Sequence, residues 1–563
     1  MLSLENQNTS SREKLLERGF LKAVDFAFAN IFRKKVSEES FSFLCYLFAL
    51  GRLGHHSILV EDRKITPDAL DLLQDAEKDL FLLELLNGAQ NLPESLCQNF
   101  HGSVDLRPIV KDGDRYYLQK YFLQEHQIAS SFASLLESSM KSFTSLEVEE
   151  AMKPYVSSLN PEQLLAVKGA LHNRLFILSG GPGTGKTYTI EHLLKIYYEL
   201  SKEKQPRILA SAPTGKATSH LKQKLGEIPN IEIKTLHSAL KLRGNQAGIL
   251  SYDLIVVDEC SMIDLHVWKT FFANILENTK VVLVGDYHQL PPVETGMIFE
   301  ELFHAAVDAH VELKECLRIE NRGIHTLAQS VNENDFEKAA EVLQSNTKDL
   351  RFFEFAEEKS ILNIENLDLE SEFKHFEDPK KSIQNLLENL KKMCMLSPIN
   401  KGIWGVKTIN REIYEFLKTR AKNSTMVIPI MITQTDYSKN LYNGDLGILI
   451  NNLVDSRKDT TYFYIEGEIK EYKKQLLPNF EYAYCVTVHK SQGSEFEKAM
   501  IFLPGKSEIF GKELLYTALT RAKYSCTLFA KEGVLKKCFF GSIQKNTFNP
   551  LMRYKKLNLE EKA

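Results

Sequence analysis

Leu175-Phe176-Ile177-Leu178-Ser179-Gly180-Gly181-Pro182-Gly183-Thr184-Gly185-Lys186-Thr187 sets a short apolar run directly ahead of a glycine-rich turn that closes on Lys-Thr. The turn matches GxxxxGK[ST] in full, and the stretch that follows it, 188–200, has helical periodicity. A buried strand, a glycine loop and a helix in that order make a phosphate cradle. The glycines let backbone N–H groups turn inward, and the helix N-terminus adds favourable charge. Lys186 is expected to reach the β- and γ-phosphates of a nucleotide, and the Thr187 hydroxyl to bind Mg²⁺. The strand–loop–helix unit predicts an α/β architecture.

Working outward, further apolar runs at 208–212, 254–257 and 281–284 each end in Gly, Pro or acidic residues, as buried parallel strands do. A second series at 393–396, 483–488, 500–503 and 527–530 predicts a second α/β unit. Between its early and late strands, 410–482 is rich in β-formers and turns such as Asn443-Gly444-Asp445, which predicts a small β insertion. Residues 1–150 read as helical, with apolar spacings of three and four through 20–32 and 70–86, a buried helix at 41–50, and one turn and strand at 112–118. A stretch with nine acids against two bases, 354–378, reads as a solvated helical face or loop.

Composition bounds the partners. The chain has 563 residues, with Lys+Arg 70 against Asp+Glu 74 and a formal net charge of −4, so any positive surface must be a local groove. Hydrophobic content of 43% and charged content of 26% exclude a mainly disordered or fibrous chain. Eight cysteines occur singly with no CxxC pair, against a zinc ribbon or an iron–sulfur motif. The polar start, 1–14, lacks the apolar core of a signal peptide, and the expected location is the cytoplasm.

The remaining motifs carry chemistry. Asp258 and Glu259 end a buried strand, where Asp258 can hold the Mg²⁺ shell and Glu259 can deprotonate an attacking water. Gln289, just after a strand-end Gly285-Asp286, is suited to sensing the γ-phosphate. A strand delivers the basic, amide-rich loop Thr487-Val488-His489-Lys490-Ser491-Gln492, fit for phosphate and sugar contacts, and the run 515–522 puts Arg521 on a helix of the second unit. No carboxylate cluster of the kind nuclease chemistry needs is legible outside the nucleotide site.

The ordered set GGPGTGKT, APTGKAT, DECSM, GDYHQLPP, TVHKSQGSEF and YTALTRA resembles the superfamily-one helicases of the RecD branch, over roughly 159–530. The resemblance implies two RecA-like P-loop domains, at about 151–315 and 316–563, an SH3-like β insertion at about 410–482, and a helical domain over 1–150 that docks on a partner. It implies an ATP-dependent 5′-to-3′ DNA helicase in an exodeoxyribonuclease V (RecBCD-type) complex for double-strand-break repair and recombination, with RecB-like and RecC-like subunits in a heterotrimer and the nuclease centre on a partner. Position by position, Gln163 matches the adenine-contacting glutamine, and Gly180, Gly181, Pro182, Gly183, Thr184, Gly185, Lys186 and Thr187 match the ATP loop. Arg318 and Arg521 match the arginines that reach the γ-phosphate from the second domain. Pro213, Thr214, Lys216, His237, Thr487, His489 and Lys490 match positions that touch single-stranded DNA. His220 stands where the family usually has arginine, and Leu317 where it usually has an aromatic residue before Arg318. Two other readings stay open on the residues: an RNA helicase or another superfamily-one translocase, separable by which nucleic acid stimulates ATP turnover, and a non-enzymatic scaffold, excluded by any such turnover.

Overall fold

The computed structural model describes residues 11–541 apart from 69–72, 74, 139–142, 202–203, 243–247, 293–295, 317–321, 346, 348, 355–359, 365–366, 374–381, 422–424 and 466. Four β-sheets organise these residues. The first α/β sheet has six parallel strands in the spatial order His310–Leu313, Leu175–Gly180, Lys280–Gly285, Leu254–Val257, Ile208–Ala212, Ile231–Thr235. Its central strands are apolar throughout because both faces are covered. Leu175, Ile177, Ile255, Val257, Val281 and Leu283 point into one core, while Phe176, Leu178, Leu254, Val256, Val282 and Val284 point into the other.

The second α/β sheet has five parallel strands, ordered Leu350–Phe353, Ala522–Ala530, Phe496–Leu503, Met393–Ser397, Cys485–Thr487. The β insertion is antiparallel, ordered Glu468–Lys473, Thr460–Ile465, Leu446–Asn452, Thr425–Ile432, Phe480–Tyr482. It starts later than the sequence indicated. Residues 410–420 belong to the helix Val406–Arg420, whose Ile409, Ile413 and Leu417 are buried at helical spacing. Of the acidic stretch, only parts are described. There Ile361, Leu369 and Phe373 are buried, while Glu372 pairs with Lys498, so the segment is anchored by apolar residues and solvated by its acids.

The N-terminal region differs most from expectation. Its helices are present, including the buried Glu38–Arg52, capped where Ser37 Oγ accepts from Ser40 N at 3.1 Å. A five-stranded sheet accompanies them, ordered Lys64–Thr66, Ser57–Glu61, Arg115–Leu118, Ile109–Asp112, Cys97–Asn99. The first hairpin turns through Asp62 and Arg63 at φ 49° and 58°, a left-handed pair without the Asn-Gly signal that marks such turns. The helix Gln119–Glu137 leaves this sheet and packs on the first α/β sheet, where Phe132 meets Phe272 edge-on at 6.1 Å. Among the described residues no helix is long and apolar enough to cross a membrane.

Candidate functional site

In parallel sheets the loops at the carboxyl ends of the strands share one edge. On the first sheet those loops carry Gly180 to Lys186, Pro213 to Lys216, Asp258-Glu259 and Asp286 to Leu290. The sequence motifs are therefore gathered by topology alone. The second sheet contributes the loop after Cys485–Thr487 and the helix Gly511–Leu519, and these face the first sheet's edge across a cleft.

The glycine loop is shaped for an anion. Gly183 and Gly185 have φ 85° and 88°, where a side chain would be strained. Thr184 Oγ1 donates to Gly181 O at 2.8 Å, and the helix Lys186–Ser201 begins at the lysine itself. Lys186 Nζ donates to the carbonyls of Gly180 and Gly181, so the ammonium lies over the loop. Thr187 sits half-buried at the helix start. Gln163 is buried in a capping box with Asn160, and its Nε2 donates to Thr184 O at 3.3 Å, which ties the preceding helix to the loop.

Two acids stand beside the lysine. Asp258 is 8% exposed and its Oδ1 accepts from Glu259 N at 2.8 Å. Burial raises the Asp258 carboxyl above the ordinary range, opposed by the Lys186 ammonium. Burial also raises Glu259, the Asp258 charge adds to the rise, and Lys186 and Arg521 oppose it. Glu259 has φ 54°, a left-handed conformation uncommon for a side-chain residue and typical of strained functional positions. Gln289 is buried; its Nε2 donates to Asp286 Oδ2 at 3.1 Å, and its Oε1 has no hydrogen-bond partner among the described residues.

Arg521 reaches this group from the second unit. It is 3% exposed, and its guanidinium donates to Thr517 O at 2.9 Å, Ser494 O at 3.2 Å and Thr520 Oγ1 at 3.2 Å. Burial depresses its pKa, and the charges of Glu259, Glu495 and Asp286 work against that depression. An arginine of the second unit and the strand-end glutamate of the first thus share one electrostatic site. Arg318 lies outside the described residues.

The residues matched to DNA contacts fall into two groups. Lys216 turns into the cleft, where its Nζ donates to Ser494 Oγ; burial brings its pKa down to about 8, with Asp445 opposing. Thr214 caps the helix Gly215–Leu225 by accepting from Ala217 N at 3.2 Å, beside half-buried Pro213. Thr487 is buried and accepts from Lys490 N at 3.2 Å; Lys490 Nζ pairs with Glu481 at 2.8 Å. His489 sits edge-on to Phe510 at 5.9 Å, and His237 is exposed on the short helix Leu236–Ala239. Lys216, Thr214, Thr487 and Lys490 therefore flank one cleft, and His237 is exposed on its short helix.

Sequence reasoning gave no role to several residues that join the units. Tyr516 OH donates to Asp286 Oδ2 at 3.0 Å, Leu290 N to Thr517 Oγ1 at 2.8 Å, and Gln492 Nε2 to Leu290 O at 2.9 Å. An ideal Cβ on Gly215 would stand 2.3 Å from Tyr442 Cγ, so the insertion presses directly on the APTGKAT loop. The available signal was the Tyr516-Thr517 pair inside the otherwise apolar run 514–519, with Arg521 one turn beyond Thr517.

Comparison with known proteins agrees with this geometry. A family model described as an AAA domain matches residues 158–349, and one described as a UvrD-like helicase C-terminal domain matches 482–529. The chain is 28% identical over 552 residues to the RecBCD enzyme subunit RecD of Buchnera aphidicola subsp. Acyrthosiphon pisum, covering 83% of this chain and 87% of that one. It is 29% identical over 459 residues to the RecBCD enzyme subunit RecD of Mycolicibacterium smegmatis, covering 75% and 79%. The ATP-dependent RecD2 DNA helicase of Deinococcus radiodurans is 25% identical over 431 residues, covering 73% of this chain and 54% of that one.

Proposed function

We propose that the chain is a RecD-type superfamily-one helicase and that its residues divide the work of an ATP-hydrolysing DNA helicase as follows. The observation that carries the reading is that the helix ahead of Arg521 bonds the first unit's strand-end loop, Tyr516 OH to Asp286 Oδ2 at 3.0 Å and Leu290 N to Thr517 Oγ1 at 2.8 Å, which brings Arg521 and Glu259 about a single phosphate loop from opposite units. A site assembled from both sides of a cleft ties hydrolysis to relative movement of the units, which a translocase needs.

Lys186 and the loop N–H groups bind the phosphates of ATP, with Gln163 bracing the loop. Thr187 and the second oxygen of Asp258 have the hard-oxygen chemistry that suits Mg²⁺, and Asp258 has only its Oδ1 engaged with Glu259 N. Held by Thr187 and Asp258, Mg²⁺ would supply charge neutralisation to the phosphates. Glu259, its carboxyl raised by burial and by Asp258, takes the proton of the attacking water, and Gln289 Oε1, unpaired among the described residues, is an acceptor to orient it. Arg521 and Arg318 supply positive charge to the terminal phosphate from the second unit. Single-stranded DNA runs across the tops of both units, past Pro213, Thr214, Lys216, His237, Thr487, His489 and Lys490.

The same reading gives 5′-to-3′ movement and a place beside RecB-like and RecC-like subunits in a heterotrimer, the nuclease residing on a partner. The eight free cysteines accord with a reduced, cytoplasmic setting. We divide the chain near 118 rather than 150, because the helix Gln119–Glu137 packs on the first α/β sheet, and near 315. The test is unwinding of duplexes with one single-stranded tail. A 5′-tailed duplex should be opened with ATP and a 3′-tailed one left intact. Opening only the 3′-tailed duplex would reverse the polarity, and no DNA-stimulated ATP turnover would end the helicase reading.

A further inference from the structure

The loop after Lys280–Gly285 is held from the opposite unit, and Tyr516 is the contact nearest the nucleotide cradle. The residue is 5% exposed on the helix Gly511–Leu519. Its hydroxyl leaves its own unit and donates to Asp286 Oδ2 at 3.0 Å. The same oxygen accepts from Gln289 Nε2 at 3.1 Å, and Asp286 Oδ1 accepts from His288 N at 3.1 Å. The Tyr516 oxygen also lies 2.8 Å from where a Cβ on Gly181 would be, so the hydroxyl rests against the phosphate loop at a place only glycine leaves open. Burial and the neighbouring Asp286 charge raise the phenol well above its ordinary pKa, which keeps it a donor.

We propose that Tyr516 is a positioning residue: its hydroxyl, by bonding Asp286 across the cleft, sets the Gln289 side chain against the phosphate loop only when the second unit is docked. Gln289 and Tyr516 share one acceptor, so losing the phenol leaves Asp286 held by Gln289 Nε2 and His288 N of its own loop, and the Gln289 amide is no longer fixed from the second unit. Arg521 donates through Nε to Thr517 O on the same helix, so one movement of that helix carries both the phenol and the guanidinium. The inference deepens the helicase reading and rests on it. A merely structural Tyr516 would owe its place to ring packing, which phenylalanine preserves.

Tyr516→Phe in the full chain separates the two. With saturating single-stranded DNA, the positioning role predicts about a tenfold lower kcat for ATP, an unchanged KM and an unchanged melting temperature. Asp286→Ala combined with Tyr516→Phe should be no slower than Asp286→Ala alone, because both remove one interaction. If the phenylalanine variant matches a parent that does hydrolyse ATP, or if the two losses multiply, the positioning role is refuted and the helicase reading stands. A parent with no DNA-stimulated turnover defeats the helicase reading and this inference with it.

Discussion

Replacing Arg521 tests whether the second unit completes the catalytic site. The guanidinium uses three of its five N–H donors on Thr517, Ser494 and Thr520, all within its own unit, at 2.9–3.2 Å. If those bonds are its whole purpose, Arg521→Ala leaves buried acceptors unpaired and costs about 3 kcal/mol of stability. At roughly 2–4 °C per kcal/mol for a unit of this size, the melting temperature falls by roughly 6–12 °C. If the remaining donors serve the terminal phosphate opposite Glu259, the loss is about 10³–10⁵ in turnover, or about 4–7 kcal/mol of barrier. The two effects are similar in energy and fall on different observables. DNA-stimulated ATP turnover is measured well below the melting temperature, beside nucleotide titration and a thermal melt. The expected outcome is near-normal nucleotide binding with turnover down at least a thousandfold. Arg521→Lys should not rescue it, since a point charge cannot reproduce the planar fork. Turnover within tenfold of the parent in folded Arg521→Ala would refute the reasoning.

Glu259→Gln keeps volume and hydrogen bonding while removing basicity, so nucleotide binding should persist and hydrolysis should fall about 10²–10⁴-fold; loss of binding as well would assign Glu259 another role. Lys216→Ala with Lys490→Ala should lower the slope of log affinity for single-stranded DNA against log salt by about one to two units, and an unaltered slope would move the DNA path elsewhere. Asp445 carries a folded-state pKa raised by burial from 3.8 to about 6. A raised carboxyl favours the folded state while protonated, so this contribution is full below about pH 4 and is lost as pH rises to about 6. It amounts to at most about 3 kcal/mol. Asp445→Asn should therefore flatten the melting temperature between pH 4 and 6 relative to the parent; parallel profiles would show that Asp445 does not titrate there.

The parallel strands were legible because burial on both faces writes itself as uninterrupted apolar runs, and 208–212 and 254–257 form strands with those bounds. The site was legible for a related reason: topology brings every carboxyl-end loop to one edge, so local motifs suffice. The N-terminal sheet was hidden because its strands are three to five residues long and its tight turn uses Asp62-Arg63 in place of asparagine and glycine. The helix Gln119–Glu137 looked like part of the N-terminal unit because an amphipathic pattern says which face is buried and not against what. Beyond the arginines expected to reach across, the direct hydrogen bonds between the units escaped. Leu290, Tyr516 and Gln492 meet over long sequence separations, and no periodicity encodes such meetings.

Leu290 has a bearing on the timing of the cycle. Its N–H and C=O are both bonded to the second unit, and its fully buried side chain sits in that unit's core although its chain position follows a strand of the first. Parting the units at this point means releasing two bonds and wetting a leucine, about 3–5 kcal/mol together. That makes the closed arrangement the resting posture of this latch and its release an activated event. Whatever parts the units must first break this latch, and the cost of doing so falls on a single residue of the first unit.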